Sequence, residues 1–313
     1  MPFSRSARQT SRIFPVVPEL SMHPAAAWWL AIRPKTLSLA AVPVLVGNAL
    51  AWWETGQFRG TVGFATLIAA LLIQIGTNLY NDARDFELGA DRPDRLGPPR
   101  ASAQGWLPPD QVRRGAMLAF LGAFCLGIWL AYLGGWPIVV LGLLSLGLGY
   151  AYSGGPKPLA YTPFGEGLVL LFFGIAAVGG SDYLQSSQLS WQALLAGTVL
   201  GLPAAAVLLV NNDRDREADL QAGRRTLALQ LGPLGTRWLY AGFLFAPPLL
   251  WSLAGPPPGA YWASLTLIPG LILVRRFWRL SPGPAHNLLL GATARYQVCL
   301  GLLMIFGLLS IPP

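Results

Sequence analysis

Charge is scarce in this sequence. Asp, Glu, Lys and Arg supply only 12% of its 313 residues, while 53% are hydrophobic, and the mean hydropathy is +0.48. A water-soluble domain needs a charged skin, so this composition excludes one and points to an integral membrane protein. Cysteine is nearly absent: Cys125 and Cys299 fall in apolar stretches far apart, which excludes a disulfide framework or a redox pair. Histidine is as rare. His23 and His286 fall at terminal or loop positions, leaving no material for a histidine metal cluster or a Ser/His/Asp triad. The first thirty residues carry Arg5, Arg8 and Arg12 but no compact apolar stretch with a small-residue cleavage site. They read as a cytoplasmic tail, residues 1–30, ahead of a membrane domain over 31–313.

What is abundant is apolar sequence in long runs. About 20 helical residues cross the roughly 30 Å of a bilayer's hydrocarbon. Runs near 36–53, 61–80, 114–133, 136–153, 163–180, 190–210, 237–254, 258–274 and 287–311 predict an all-α bundle of nine spans. Gly and Pro within them are tolerated where neighbouring helices surround the backbone. Trp28 and Trp29, followed by Arg33 and Lys35, read as an interfacial anchor, and Trp136, Trp191 and Trp262 as belt residues.

The basic residues are one-sided. Arg84, Arg92, Arg95, Arg100, Arg113, Arg114, Lys157, Arg214, Arg216, Arg224, Arg225, Arg237, Arg275, Arg276 and Arg279 all fall after even-numbered spans, and the opposite loops hold only Arg59. That asymmetry places this side and the amino terminus in the cytoplasm. The net charge of +8 is thus mainly a mark of topology, with anionic membrane lipid as a partner. Basic residues scattered among loops give no nucleic-acid footprint.

The acids obey no topological rule and carry more information. Nine of the fourteen lie in two windows: Asp82, Asp85, Glu87, Asp91 and Asp94, then Asp213, Asp215, Glu217 and Asp219. Asn81 and Asp85 are four residues apart, as are Asn211, Asp215 and Asp219, so each set falls on one helix face. Carboxylates stacked beside apolar surroundings repel unless a cation sits between them. Mg²⁺ meets that need, binding through a few carboxylates plus substrate phosphates. Arg95, Lys157, Arg224 and Arg225 would face the outer phosphate oxygens, which makes a metal-bridged diphosphate site. Any single Asn-Asp pair at a helix end is ordinarily a cap, but two spaced clusters in an acid-poor chain argue for a site. Glu87, Asp94 and Glu217 read as solvated residues. The Gly/Pro-rich turn YAYSGGPKPLAYTPFGE, 150–166, is either a tight interhelical loop with Lys157 fixing topology, or a phosphate contact beside an acceptor pocket lined by Tyr152.

At these residues the sequence resembles the UbiA superfamily of intramembrane prenyltransferases, in particular its menaquinone branch. The resemblance runs through IRPKTLSLAAVPVLVGNALA, NLYNDARDFELGADRPDRLGPPR, YSGGPKPLAY and NNDRDREADLQAGRRTLALQLG, nearly the whole chain after residue 28. It implies a nine-helix UbiA-type bundle whose two aspartate motifs bind Mg²⁺ and a polyprenyl diphosphate, with 1,4-dihydroxy-2-naphthoate as acceptor, in the cell inner membrane. Carried across, Asp82, Asp85, Asp91, Asp215 and Asp219 are the implied metal ligands, Asp82, Asp85, Asp215 and Asp219 being catalytic. Asn78, Asn81, Arg95, Lys157, Asn211, Asn212 and Arg224 are the implied diphosphate contacts. The pattern departs from the family at GPPR, 97–100, where GPLR is usual, and at Leu220, where arginine is frequent. Related aromatic acceptors, or a transporter without covalent chemistry, are the competing readings.

Overall fold

The computed structural model describes residues 22–89, 95–156, 158–281 and 283–310. Among them there is no strand. A short helix α1 (Pro24–Ile32) leads into α2 (Pro34–Thr55), α3 (Gly60–Glu87), α4 (Pro109–Gly134) and α5 (Trp136–Ala151). Next comes one long helix formed of α6 (Gly165–Leu170), a π-turn (Leu171–Ala176) and α7 (Ala177–Ser186). Then follow α8 (Trp191–Arg214), α9 (Arg216–Gln221), α10 (Leu227–Ala254), α11 (Leu267–Arg279) and α12 (His286–Leu309).

Six helices among the described residues are long and apolar enough to cross a membrane: α2, α3, α4, the continuous Gly165–Ser186 helix, α8 and α12. The three other expected spans differ for identifiable reasons. The 16 residues of α5 extend about 24 Å at 1.5 Å per residue, which makes it a shorter apolar helix than the other six. The α10 helix carries Pro233, Pro247 and Pro248 and is broken at Gly232. The run expected near 258–274 divides into a 3₁₀ segment, Gly259–Thr266, and the 13-residue α11. Trp136, Trp191 and Trp262 are all exposed, as belt residues should be.

The main core lies where α2, α8, α10 and α12 meet, around Val46, Leu200, Tyr240, Trp251 and Leu300. The α8 helix is its centre. Small residues let α8 approach the π-turn closely: a Cβ added at Gly174 would lie 2.2 Å from the Gly197 carbonyl oxygen and 2.7 Å from Gly201 Cα. A second cluster joins α1, α3, α4 and the 101–107 loop through Ala27, Leu79, Leu107 and Val112. Here Trp28 packs into the cluster while Trp29 stays exposed. Together the two cores hold the acidic ends of α3 and α8 at the same end of the bundle.

Candidate functional site

Between these helices lies a cavity of about 1090 Å³. Its walls are apolar, with Leu39, Ile73, Phe124, Ile128, Phe172 and Val207 among the side chains that face it. Its mouth is polar and is built from the ends of α3 and α8, the start of α2, the 95–100 loop and α9. A long apolar substrate with an ionic head matches that division.

Asp85, Asp215 and Asp219 at the mouth are each met by arginine. Asp85 is 2.8 Å from Arg100 and 3.8 Å from Arg224. Arg224 also lies 3.3 Å from Asp219, so one guanidinium joins the first acidic window to the second. Its plane stacks over Tyr161, 4.4 Å from the ring centroid. Asp215 takes a two-pronged contact from Arg214, Nε to Oδ1 at 2.8 Å and Nη2 to Oδ2 at 2.5 Å. Arg214 is itself buried and also donates to Asn211 Oδ1 at 2.9 Å. Burial pushes the Asp219 carboxyl up to about 6, against the pull of Arg224 and with a further push from Asp215. Burial opposes the Arg224 charge, but Asp85 and Asp219 beside it carry its pKa above the ordinary arginine value.

The asparagines tie this mouth together. Asn81 accepts from Arg33 at 3.2 Å and donates to Ser153 Oγ at 2.7 Å. Asn78 donates to the Ile32 carbonyl at 2.9 Å and to Thr36 Oγ1 at 3.3 Å, pinning the start of α2 to α3. Asn212 donates to Glu166 Oε1 at 2.9 Å. Asn78, Asn81, Asn211 and Asn212 all line the cavity, as do Arg95, Tyr152 and Arg224.

Asp82 differs from the other expected ligands. It is 1% exposed and absent from the cavity wall. Its two oxygens accept from the backbone amides of Ala101, at 3.1 Å, and Ser102, at 2.9 Å. In this position it clamps the 95–107 loop onto α3. Arg225 is exposed and stands outside the wall. Asp91 and Lys157, also expected at the site, lie outside the described residues.

Several participants escaped the sequence reading. Arg100 and Arg214, which read from the sequence as topology charges, and Arg33, which reads as part of an interfacial anchor, all face the cavity. Arg33 joins α1 to α2 in the left-handed region at φ 58°, a conformation unfavourable for a side-chain-bearing residue. Burial, with Arg100 adding to it, brings its pKa down to about 9. His286, expected in a loop, begins α12 and places Nε2 3.1 Å from Asp213 Oδ2. Only the clustering of Arg with Asp in the two windows hinted at these pairings.

No three His, Cys, Asp or Glu side chains among the described residues form a ready metal cluster. The donor set still fits Mg²⁺ held jointly by protein and phosphate. Asp85 and Asp219, from separate helices, converge on a single cation, Arg224. Magnesium needs only one or two carboxylates when phosphates and water complete its shell.

Known proteins share both sequence and shape with this chain. The 1,4-dihydroxy-2-naphthoate octaprenyltransferase of Escherichia coli (strain K12) is 39% identical over 225 residues, covering 70% of this chain and 72% of that protein. The enzyme of the same name from Haemophilus influenzae is 38% identical over 212 residues, 66% of this chain and 69% of the other. A solved UbiA homolog from Archaeoglobus fulgidus, bound to GPP and Mg²⁺, aligns with a TM-score of 0.61 at 16% identity, over 91% of this chain and 100% of its own. The model of the UbiA prenyltransferase family matches residues 40–291, from early α2 to the first turns of α12 and through both acidic windows. On these grounds the chain is a member of the UbiA prenyltransferase family.

Proposed function

We propose that this protein transfers a polyprenyl group from a polyprenyl diphosphate to 1,4-dihydroxy-2-naphthoate, releasing diphosphate and carbon dioxide. The product is demethylmenaquinol, or demethylmenaquinone after oxidation. One observation carries the reading: carboxylates from both acidic windows meet on Arg224 at the ionic mouth of a large apolar cavity. The acceptor is supported by the name of the relatives from Escherichia coli and Haemophilus influenzae.

In this mechanism Asp85, Asp215 and Asp219, with Asp91, would hold Mg²⁺ beside the diphosphate, where the metal would neutralise charge on the leaving group. Arg95, Arg100, Arg224 and Lys157 bind the outer phosphate oxygens, while Asn78, Asn81, Asn211 and Asn212 orient the donor head. The allylic C–O bond breaks and its electron pair leaves with the diphosphate. A ring carbon of the acceptor, placed beside Tyr152, forms the new C–C bond, and loss of its carboxylate as carbon dioxide restores the ring electrons. No strong protein base is needed for that sequence. The apolar wall keeps water from the allylic carbon and holds the polyprenyl tail.

We place α5, α10 and the Gly259–Arg279 segment as the remaining spans of a nine-helix bundle over residues 31–313. The site then faces the cytoplasmic side of the cell inner membrane, with the amino terminus inside, because the arginine-rich loops share that side.

The test is product formation by membranes containing this chain, supplied with 1,4-dihydroxy-2-naphthoate and a polyprenyl diphosphate, with Mg²⁺ or excess EDTA, read by mass spectrometry. Demethylmenaquinol or demethylmenaquinone formed only with Mg²⁺ is the expected result. If a control enzyme works in the same membranes and no donor length yields product, the acceptor assignment falls. If other aromatic acceptors fail too, prenyl transfer falls with it.

A further inference from the structure

Asn287 stands outside the cavity wall, one residue into α12, and was not marked by any motif. Both ends of its amide are used. Oδ1 accepts from Arg214 Nη1 at 2.6 Å, and Nδ2 donates to the Leu96 carbonyl at 2.8 Å. Arg214 is the residue that grips Asp215 with Nε and Nη2, so Asn287 takes the third side of the same guanidinium. Leu96 belongs to the loop that carries Arg95 and Arg100, the latter paired with Asp85. Gly97 lets that loop lie tight here: a Cβ on it would come within 3.0 Å of guanidinium atoms of both Arg95 and Arg214.

We propose that Asn287 is a positioning residue that sets the spacing of the two acidic windows, its amide tying the loop after the first window to the arginine that holds the second. The inference rests on the reading that both windows serve one diphosphate. The connection runs from Asp85 through Arg100 and the loop to Leu96, across Asn287 to Arg214, and on to Asp215. The same helix turn adds a second hold, because His286 grips Asp213, whose other oxygen is 2.6 Å from Arg216. An amide suits position 287 because it both accepts and donates. A carboxylate there would give nothing to the Leu96 carbonyl and would compete with Asp215 for Arg214; an alanine would release both partners.

The experiment uses the full chain in detergent with Asn287→Ala and Asn287→Asp. Both variants should raise the donor KM about tenfold or more and leave the acceptor KM within about twofold, the signature of a mispositioned diphosphate site. A readout that needs no turnover is tryptic cleavage after Arg95 or Arg100 in EDTA, expected about fivefold faster in both variants as the loop opens more often. If Asn287→Ala does not accumulate, Asn287→Asp carries the test, since it keeps an acceptor for Arg214. Wild-type donor KM and wild-type cleavage in a folded variant would overturn the proposal. So would an equal rise in both KM values, which marks general damage. Should the wild-type protein show no diphosphate-dependent activity, the functional reading fails, and the cleavage comparison still judges the tie between loop and helix.

Discussion

Replacing Asp82 by Asn separates two roles that a carboxylate in this motif can play. A metal ligand would lose activity and leave the metal-free fold unchanged. The structure makes the opposite demand, since both Asp82 oxygens accept buried backbone amides, from Ala101 and Ser102. An asparagine has one acceptor oxygen, so whichever way it turns, one amide N–H meets an NH₂ group. One charge-assisted bond is lost and one buried donor is stranded, a cost of about 2–3 kcal/mol. At RT of about 0.6 kcal/mol, that shifts the loop's open-to-closed ratio by a factor of roughly 30–150. For a chain of this size the melting temperature should fall by about 3–5 °C. The assay is thermal unfolding of purified protein in detergent with EDTA, comparing wild type, Asp82→Asn and Asp82→Ala, the alanine falling further because both bonds go. A melting temperature for Asp82→Asn equal to wild type in EDTA would refute the clamp.

Further outcomes follow from the same geometry. Asp85→Asn should lose most prenyl transfer, about a hundredfold or more, at near-normal abundance in the membrane; equal activity at matched protein levels would remove Asp85 from the metal site. Arg224→Met, which frees Asp85 and Asp219 from their shared cation, should raise the donor KM about tenfold or more and spare the acceptor KM, as steady-state kinetics would show. Gly174→Ala should cost about 1–3 kcal/mol by driving α8 from the π-turn, visible as a lower melting temperature with any remaining activity showing unchanged KM values.

The membrane character, the helical class and the two acidic ends were legible from the sequence because each leaves a linear trace. Apolar run length gave α2, α3, α4, α8 and α12. Asn81 and Asp85 share the α3 helix as the four-residue spacing predicts, whereas Asp215 is a non-helical joint between Asn211 on α8 and Asp219 on α9, though all five line the cavity. What stayed hidden depends on partners distant in the chain. Asp82 shares its window with Asp85 and differs from it only through Ala101 and Ser102, contacts that no helical spacing encodes. Arg100 and Arg214 looked like topology charges because a loop arginine reads the same whether it faces water or a carboxylate across the bundle. Run length alone did not show that 136–153 forms a helix of only 16 residues, or that 258–274 divides into a 3₁₀ segment and a 13-residue helix.

The π-turn at Leu171–Ala176 makes the length of this stretch of chain significant in itself. Such a turn holds one residue more than an α-turn. Because that extra residue is taken up inside one wider turn, Gly165–Leu170 and Ala177–Ser186 stay in phase with each other. Losing one residue from the π-turn would therefore leave Glu166 facing Asn212, whereas losing one from the regular helix of Ala177–Ser186 would turn everything before it by about 100°. In the length of this helix, the π-turn is where the chain carries a residue to spare.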